Sequence, residues 1–341
     1  MNYYPWVLET TFKRTNEPEK GLKHAGEITY HPGVTLMTLS GISSRIGKKI
    51  LTSSIPNYTP CGYKDMACPY LKTEIKIAKI PLILAFSIGF YLMLYLISGK
   101  FNLLTAIVFG SFVIYEPFLF LTSRDLHLDY LQTTFIVLSV LFFYKAKNYK
   151  YIVLSGFSLG LAILTRFPSV FFIPGMLLLM QYSKTGLKKF FTLVSIAIIT
   201  FVLLYPPMWK YPLNTIRFIV GGSSESTQSH NLGKLQENKI KEYTTGIVLY
   251  TREVLAHMSP IWTLSMLIAV ISVFYLPIDR RTKKDIGTFA LVFLIYFLLL
   301  NLSDKKFFRY TTPSIVGLTI PMSYIMSSVF TIIMKKIKTI Q

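Results

Sequence analysis

The sequence predicts an all-α polytopic membrane protein of about nine transmembrane helices, with an extracytoplasmic amino-terminal juxtamembrane region. Three observations carry this expectation. Of 341 residues, 52% are hydrophobic and 15% charged, with a mean hydropathy of +0.47, far outside the soluble average. Apolar runs of bilayer length recur along the chain. The cations, which give a formal net charge of +20, sit in short loops between those runs, where they report orientation before any nucleic-acid ligand. Two cysteines and 19 glycines exclude a disulfide-dense scaffold and a collagen-like chain.

A hydrocarbon core about 30 Å thick needs roughly 20 apolar residues. Uncharged runs cover 80–98, 190–209, 258–278, 286–303 and 310–334. Two more, 102–122 and 126–144, are each interrupted by one acid, Glu116 and Asp129; an acid in such a run is a functional suspect. The stretch 151–182 is preceded by Lys145, Lys147 and Lys150 and followed by Lys184, Lys188 and Lys189. Both clusters face the cytoplasm only if the segment crosses twice, turning at Arg166-Phe167-Pro168.

With alternating crossings, the clusters at Lys100, Lys145 to Lys150, Lys184 to Lys189, Arg280 to Lys284 and Lys335 to Lys338 share the cytoplasmic side. Outside lie residues 1–76, the turn Ser123-Arg124-Asp125, the tip at Arg166, the loop 208–257 and Ser303 to Arg309. Trp209 and Trp262 fall at outer helix ends, as an interfacial aromatic belt requires. The chain thus divides into a juxtamembrane region over 1–76, with a surface helix from Gly33 to Ile50, a transmembrane domain over 77–334, and a basic cytoplasmic tail over 335–341. Cys61 and Cys68 are expected outside, where a bridge between them is geometrically open. The expected location is the plasma membrane.

Phosphate-loop, dinucleotide-fold, zincin and nucleophile-elbow signatures are absent from the sequence. The histidines form no close i,i+4 pair, so no metal site is readable, and a divalent cation stays open as a cofactor. Gly156 and Gly160 have the spacing of tight helix packing. Polar residues instead gather at the outer face. In Ser123-Arg124-Asp125-Leu126-His127-Leu128-Asp129, Asp125 reads as a helix cap, and Asp129 as a functional acid or the ion-pair partner of Arg124. In Ser303-Asp304-Lys305-Lys306-Phe307-Phe308-Arg309-Tyr310, the cations either snorkel to headgroups or clamp a phosphate. Tyr30-His31-Pro32-Gly33-Val34-Thr35 is a turn feeding the surface helix, and Glu116-Pro117 an acid at a kink, paired within the bundle.

Together these residues resemble the lipid-dependent glycosyltransferases of the protein O-mannosyltransferase and lipid A aminoarabinose transferase type, which have the GT-C fold. The resemblance runs from Tyr30 to Pro313 and is carried by the order of its pieces: Tyr30 to Thr35; Pro117, Arg124 and Leu128-Asp129; Gly160 to Pro168; then Lys305, Arg309-Tyr310 and Pro313. It implies transfer of a sugar from a polyprenyl-phosphate-linked donor to a protein, lipid or glycan acceptor on the extracytoplasmic side, among membrane lipids and without nucleic acid. By position, Asp129 resembles the family's second acid, and Lys305 and Arg309 its donor-phosphate contacts. Arg124, Asp125, Arg166, Tyr310 and His31 are implied as further substrate-binding residues. The family's first acid has no clean match; Glu9 is a substitute.

That gap, with an amino terminus placed outside and no signal peptide, leads to the expectation that the reading frame extends upstream through an apolar helix and an acid. A transporter or flippase of an anionic lipid-linked substrate, or an inactive accessory subunit, remains as an alternative. The topology is checked by single cysteines: at Asn148 and Thr282 they are expected to be shielded from an impermeant thiol reagent in intact cells, and at Ser224 labelled. Labelling at Asn148 overturns the scheme.

Overall fold

The computed structural model describes residues 34–55, 69–124, 128–145, 148–183, 186–205, 207–210, 212–213, 239–300 and 308–340. Among them there are helices and no strands. Cys61 and Cys68 lie outside the described residues.

Helix α1, Val34–Ser54, covers the segment expected as a surface helix. It lies on the start of α2, Leu71–Lys100: the Ser43 hydroxyl donates to the Ile77 carbonyl at 2.7 Å, and a Cβ on Gly47 would run into the Ile77 side chain. The run 102–122, expected as one crossing, is two helices, α3 Leu103–Tyr115 and α4 Pro117–Arg124. The cause is local. Pro117 disfavours helical geometry in the residue before it, and Glu116 is extended, with φ −73° and ψ 114°.

Helix α5, Leu128–Tyr144, turns back through a short link into α6, Tyr149–Thr165, whose N-cap Asn148 accepts from the Lys150 amide. Pro168 stops α6 in another way, since it has no amide to donate and its ring would clash with the carbonyl four residues back in a continued helix. A 3-10 segment, Phe167–Phe171, leads into α7, Phe172–Ser183, so the expected break in 151–182 falls at Arg166. There follow α8 Leu187–Leu204, the short α9 Pro207–Lys210, α10 Lys239–His257 and α11 Pro260–Tyr275. The segment read from sequence as the loop 208–257 therefore contains a helix. Its Tyr250 is fully enclosed and packs against Phe297, burial that charged neighbours such as Arg252 and Glu253 conceal in a hydropathy profile. Helix α12, Arg280–Leu300, a 3-10 turn Phe308–Thr311 and α13 Thr312–Ile340 complete the order.

By length and composition three helices can cross a membrane, Lys72–Lys100, Leu187–Leu204 and Thr312–Thr339. A fourth candidate arises if Gly246–His257 and Pro260–Tyr275, bent by 119°, form one broken span. Leu103–Tyr115, Leu128–Tyr144, Tyr149–Thr165 and Phe167–Gln181 are apolar but shorter. The expected count of about nine does not follow from helix length alone.

The distribution of side chains is that of an integral membrane protein. Ile83, Leu84 and Ile88 of α2, Ile198 and Ile199 of α8, and Phe274 of α11 point outward, while Thr105, Ser139, Ser155, Thr319 and Ser327 are enclosed. Lipid tails satisfy an apolar surface as well as a core does, so helices associate through close packing and internal hydrogen bonds. Ser139 and Ser155 exchange bonds with each other's backbone carbonyls at 2.9 and 2.7 Å, and the Thr105 and Ser327 hydroxyls meet at 2.9 Å. Backbones touch where α6 crosses α8: a Cβ on Gly156 would lie 2.6 Å from the Leu193 carbonyl oxygen, and one on Gly160 would lie 2.7 Å from that of Ala197.

At one end of the bundle Lys100 bonds Asp285 at 2.7 Å and lies over the Tyr144 ring, whose hydroxyl donates to the Asp285 carbonyl at 3.0 Å. Lys189 lies over Tyr149. The ends of α2 and α5 and the starts of α6, α8 and α12 thus meet, bringing together basic loops that the charge pattern assigned to one side.

Gly160→Leu is expected to destabilise the protein by about 1–3 kcal/mol, since a side chain would meet backbone that cannot yield. Gly287→Ala, where a Cβ meets nothing within 4 Å, should be neutral or stabilising by up to about 1 kcal/mol. Thermal unfolding in detergent distinguishes the two; equal effects would refute the packing account.

Candidate functional site

Asp129 is the second residue of α5 and Arg166 follows the last residue of α6. Because the two helices are antiparallel neighbours, the start of one adjoins the end of the other. The carboxylate therefore sits where unsatisfied amides favour an anion, and the guanidinium where unsatisfied carbonyls favour a cation. They form a buried ion pair, Arg166 Nη1 to Asp129 Oδ1, with Asp129 1% and Arg166 3% exposed. Arg166 itself is extended, φ −156° and ψ 126°, its amide closing the helix on the Ala162 carbonyl at 2.8 Å. Release from helical geometry is what lets its side chain turn toward α5.

The pair is enclosed by groups distant in sequence. The Arg166 guanidinium stacks over the Tyr310 ring at 4.3 Å, and the Tyr310 carbonyl accepts from the Tyr296 hydroxyl at 3.3 Å. Tyr296 stacks on Phe172, centroids 4.0 Å apart. One turn along α5 from Asp129, Gln132 donates through its amide nitrogen to Ser169 Oγ at 2.9 Å, and Ser169 donates to the Ala162 carbonyl at 3.0 Å. Elements spanning residues 129 to 310 are thereby joined in one polar layer.

Of the residues expected from sequence, Asp129, Arg166 and Tyr310 come together. Asp129 is paired with Arg166, which the break at Pro168 turns inward; the side chain of Arg124, which the sequence alternative named, is not among those described. Glu9, His31, Asp125 and Lys305 lie outside the described residues, as do the side chains of Arg124 and Arg309. Sequence reasoning missed Gln132, Ser169 and Tyr296. A glutamine three residues beyond an intramembrane acid was a legible signal; nothing marked Tyr296 among the aromatic residues of its helix.

Glu116 is paired within the bundle, as expected. Its carboxylate, 2% exposed, accepts from the Ser259 amide at 2.9 Å and the Ser259 hydroxyl at 2.5 Å, and Ser259 caps α11. The acid thus lies at a helix start and ties the α3–α4 break to the bend before α11. Among the described residues no group of three or more His, Cys, Asp and Glu is placed to hold a metal ion.

Residues 72–209 match the family model described as dolichyl-phosphate-mannose-protein mannosyltransferase. The match supports a membrane glycosyltransferase of the GT-C type. It takes in Glu116, Asp129 and Arg166, covers less than half of the chain, and ends before Tyr296 and Tyr310. No curated protein and no solved structure matches the chain.

Removing one member of a buried pair leaves an uncompensated charge or polar group. Asp129→Leu and Arg166→Met are each expected to cost about 3–5 kcal/mol, and the double variant to recover most of the loss. Unfolding measurements on the three variants test this. Additive losses would mean that the two side chains are not coupled.

Proposed function

We propose that the protein is an integral-membrane glycosyltransferase moving a sugar from a polyprenyl-phosphate donor to an acceptor on the extracytoplasmic side of the plasma membrane. The observation that carries the reading is the buried Asp129–Arg166 pair under Tyr310, two of whose members lie in the stretch matching a family described by a dolichyl-phosphate-mannose donor and a protein acceptor. A functional acid in an apolar helix is costly to maintain, and here its surroundings are polar and joined.

The reaction forms a bond from the acceptor oxygen to the anomeric carbon and breaks the bond from that carbon to phosphate. The electron pair leaves on the lipid phosphate, and the acceptor proton goes to a carboxylate. Asp129, held by Arg166, orients the acceptor or receives its proton, with Glu9 the candidate for the second carboxylate. Lys305 and Arg309 neutralise the departing phosphate, assisted by Arg124. Asp125, Tyr310 and His31 complete the binding site.

The reading is tested by incubating purified protein with polyprenyl-phosphate sugars carrying labelled mannose, another hexose or an aminopentose, and following release of lipid phosphate. Turnover of at least one is expected, whereas translocation without cleavage would establish the transporter alternative. The Asp129→Leu/Arg166→Met variant should fold yet lose transfer by about a hundredfold or more. Lys305→Ala and Arg309→Ala should weaken donor use, and Arg309→Lys should restore it only in part, because an ammonium cannot make a bidentate contact. Wild-type turnover in the double variant would remove Asp129 from the mechanism.

A further inference from the structure

Gln132 is 1% exposed and lies on the Asp129 face of α5, three residues on. Its amide nitrogen donates to Ser169, and the amide is also hydrogen-bonded with Tyr296. Its carbonyl oxygen Oε1 is buried without a hydrogen-bond partner among the described residues. Reversing the amide does not relieve this. The oxygen and nitrogen would only exchange places, and an amide NH2 would then occupy the unsatisfied position. Buried acceptors are rarely left unmet, since each costs the full desolvation of the group. An apolar residue would fill the space on a helix that is otherwise apolar along most of its length. The position therefore suits a donor group that is present only part of the time.

We propose that Gln132 is a specificity-determining contact of the transferase site, its Oε1 accepting a hydrogen bond from one hydroxyl of the sugar being transferred. The inference rests on the glycosyltransferase reading and adds to it a residue that selects the sugar. Asp129 and Gln132 then address the two reactants from successive turns of one helix face. A site built to receive a hydroxyl rejects the analogue lacking it, because the acceptor stays buried and unpaired.

The test uses the full chain, purified, with whichever polyprenyl-phosphate sugar it turns over and the monodeoxy analogues of that donor. The wild-type protein is expected to disfavour one deoxy analogue by at least about tenfold in kcat/KM. Gln132→Met, similar in volume but without the acceptor, should bring that ratio close to unity while discrimination at the other sugar positions persists. If Gln132→Met does not fold, Gln132→Asn, which withdraws the amide by one methylene while keeping its polarity, should give the same loss. A lowered melting temperature with an unchanged ratio would mean that Gln132 acts only within the bundle, and would overturn the proposal. So would a change confined to selectivity among acceptor hydroxyls. Absence of any transfer by the wild-type protein would overturn the glycosyltransferase reading itself and the inference with it.

Discussion

A carboxylate and a guanidinium cannot be carried singly into a bundle of apolar helices, because each would lose its hydration without replacement. Asp129 and Arg166 satisfy this requirement together, and the local structure follows from their meeting. Arg166 has to leave the helical path to reach α5, which Pro168 makes inexpensive because its ring and missing amide could not continue α6 in any case. The 3-10 segment that follows directs Ser169 toward Gln132 and Phe172 toward Tyr296. Tyr310, at the start of α13, then covers the guanidinium with its ring. A substitution at any of these positions is felt at the pair, since the aromatic wall and the hydroxyl chain enclose the same charge.

The same constraint operates twice more. Glu116 is accommodated where α3 stops, with the capping serine of α11 as its partner, so one carboxylate binds two chain reversals 143 residues apart. Lys100 and Asp285 join α2 to α12 across 185 residues at the other end of the bundle. In each case the charge lies at a helix terminus or break. There, free backbone amides or carbonyls supplement the side-chain partner, whereas a mid-helix position offers only side chains. These contacts pin distant segments more specifically than apolar packing could, because leucine finds lipid as acceptable as another leucine.

Much of the fold was legible because membrane physics writes it in long runs and short basic loops. The helix break at Arg166, the helix after Gly33, the close spacing of Gly156 and Gly160, and the pairing of Glu116 all rest on such local rules. What stayed hidden is tertiary. Asp129 could be recognised as out of place in an apolar run, but no spacing rule connects it to Arg166, 37 residues on. Helix α10 was concealed because its enclosed face, with Tyr250, alternates with charges that lower the hydropathy of the whole segment. The run 102–122 reads as continuous in a hydropathy profile, whereas Pro117, with an acid before it, ends a helix instead of bending it.

The interior also separates two kinds of polarity. Hydroxyl pairs such as Ser139 with Ser155 and Thr105 with Ser327 are complete in themselves: donors and acceptors balance, so these contacts fix helix positions and offer nothing to a ligand. The layer around Asp129 is different in composition, holding an ion pair, two tyrosines and an amide whose oxygen is not balanced. Packing alone does not explain that difference, since Ser and Thr would join helices there as well as they do elsewhere, at lower desolvation cost. Retaining charged and amide groups at the junction of α5, α6 and α13 is intelligible if the layer has to receive something polar. The complete hydroxyl contacts nearer the opposite end then serve to keep the three helix ends in register while it does so.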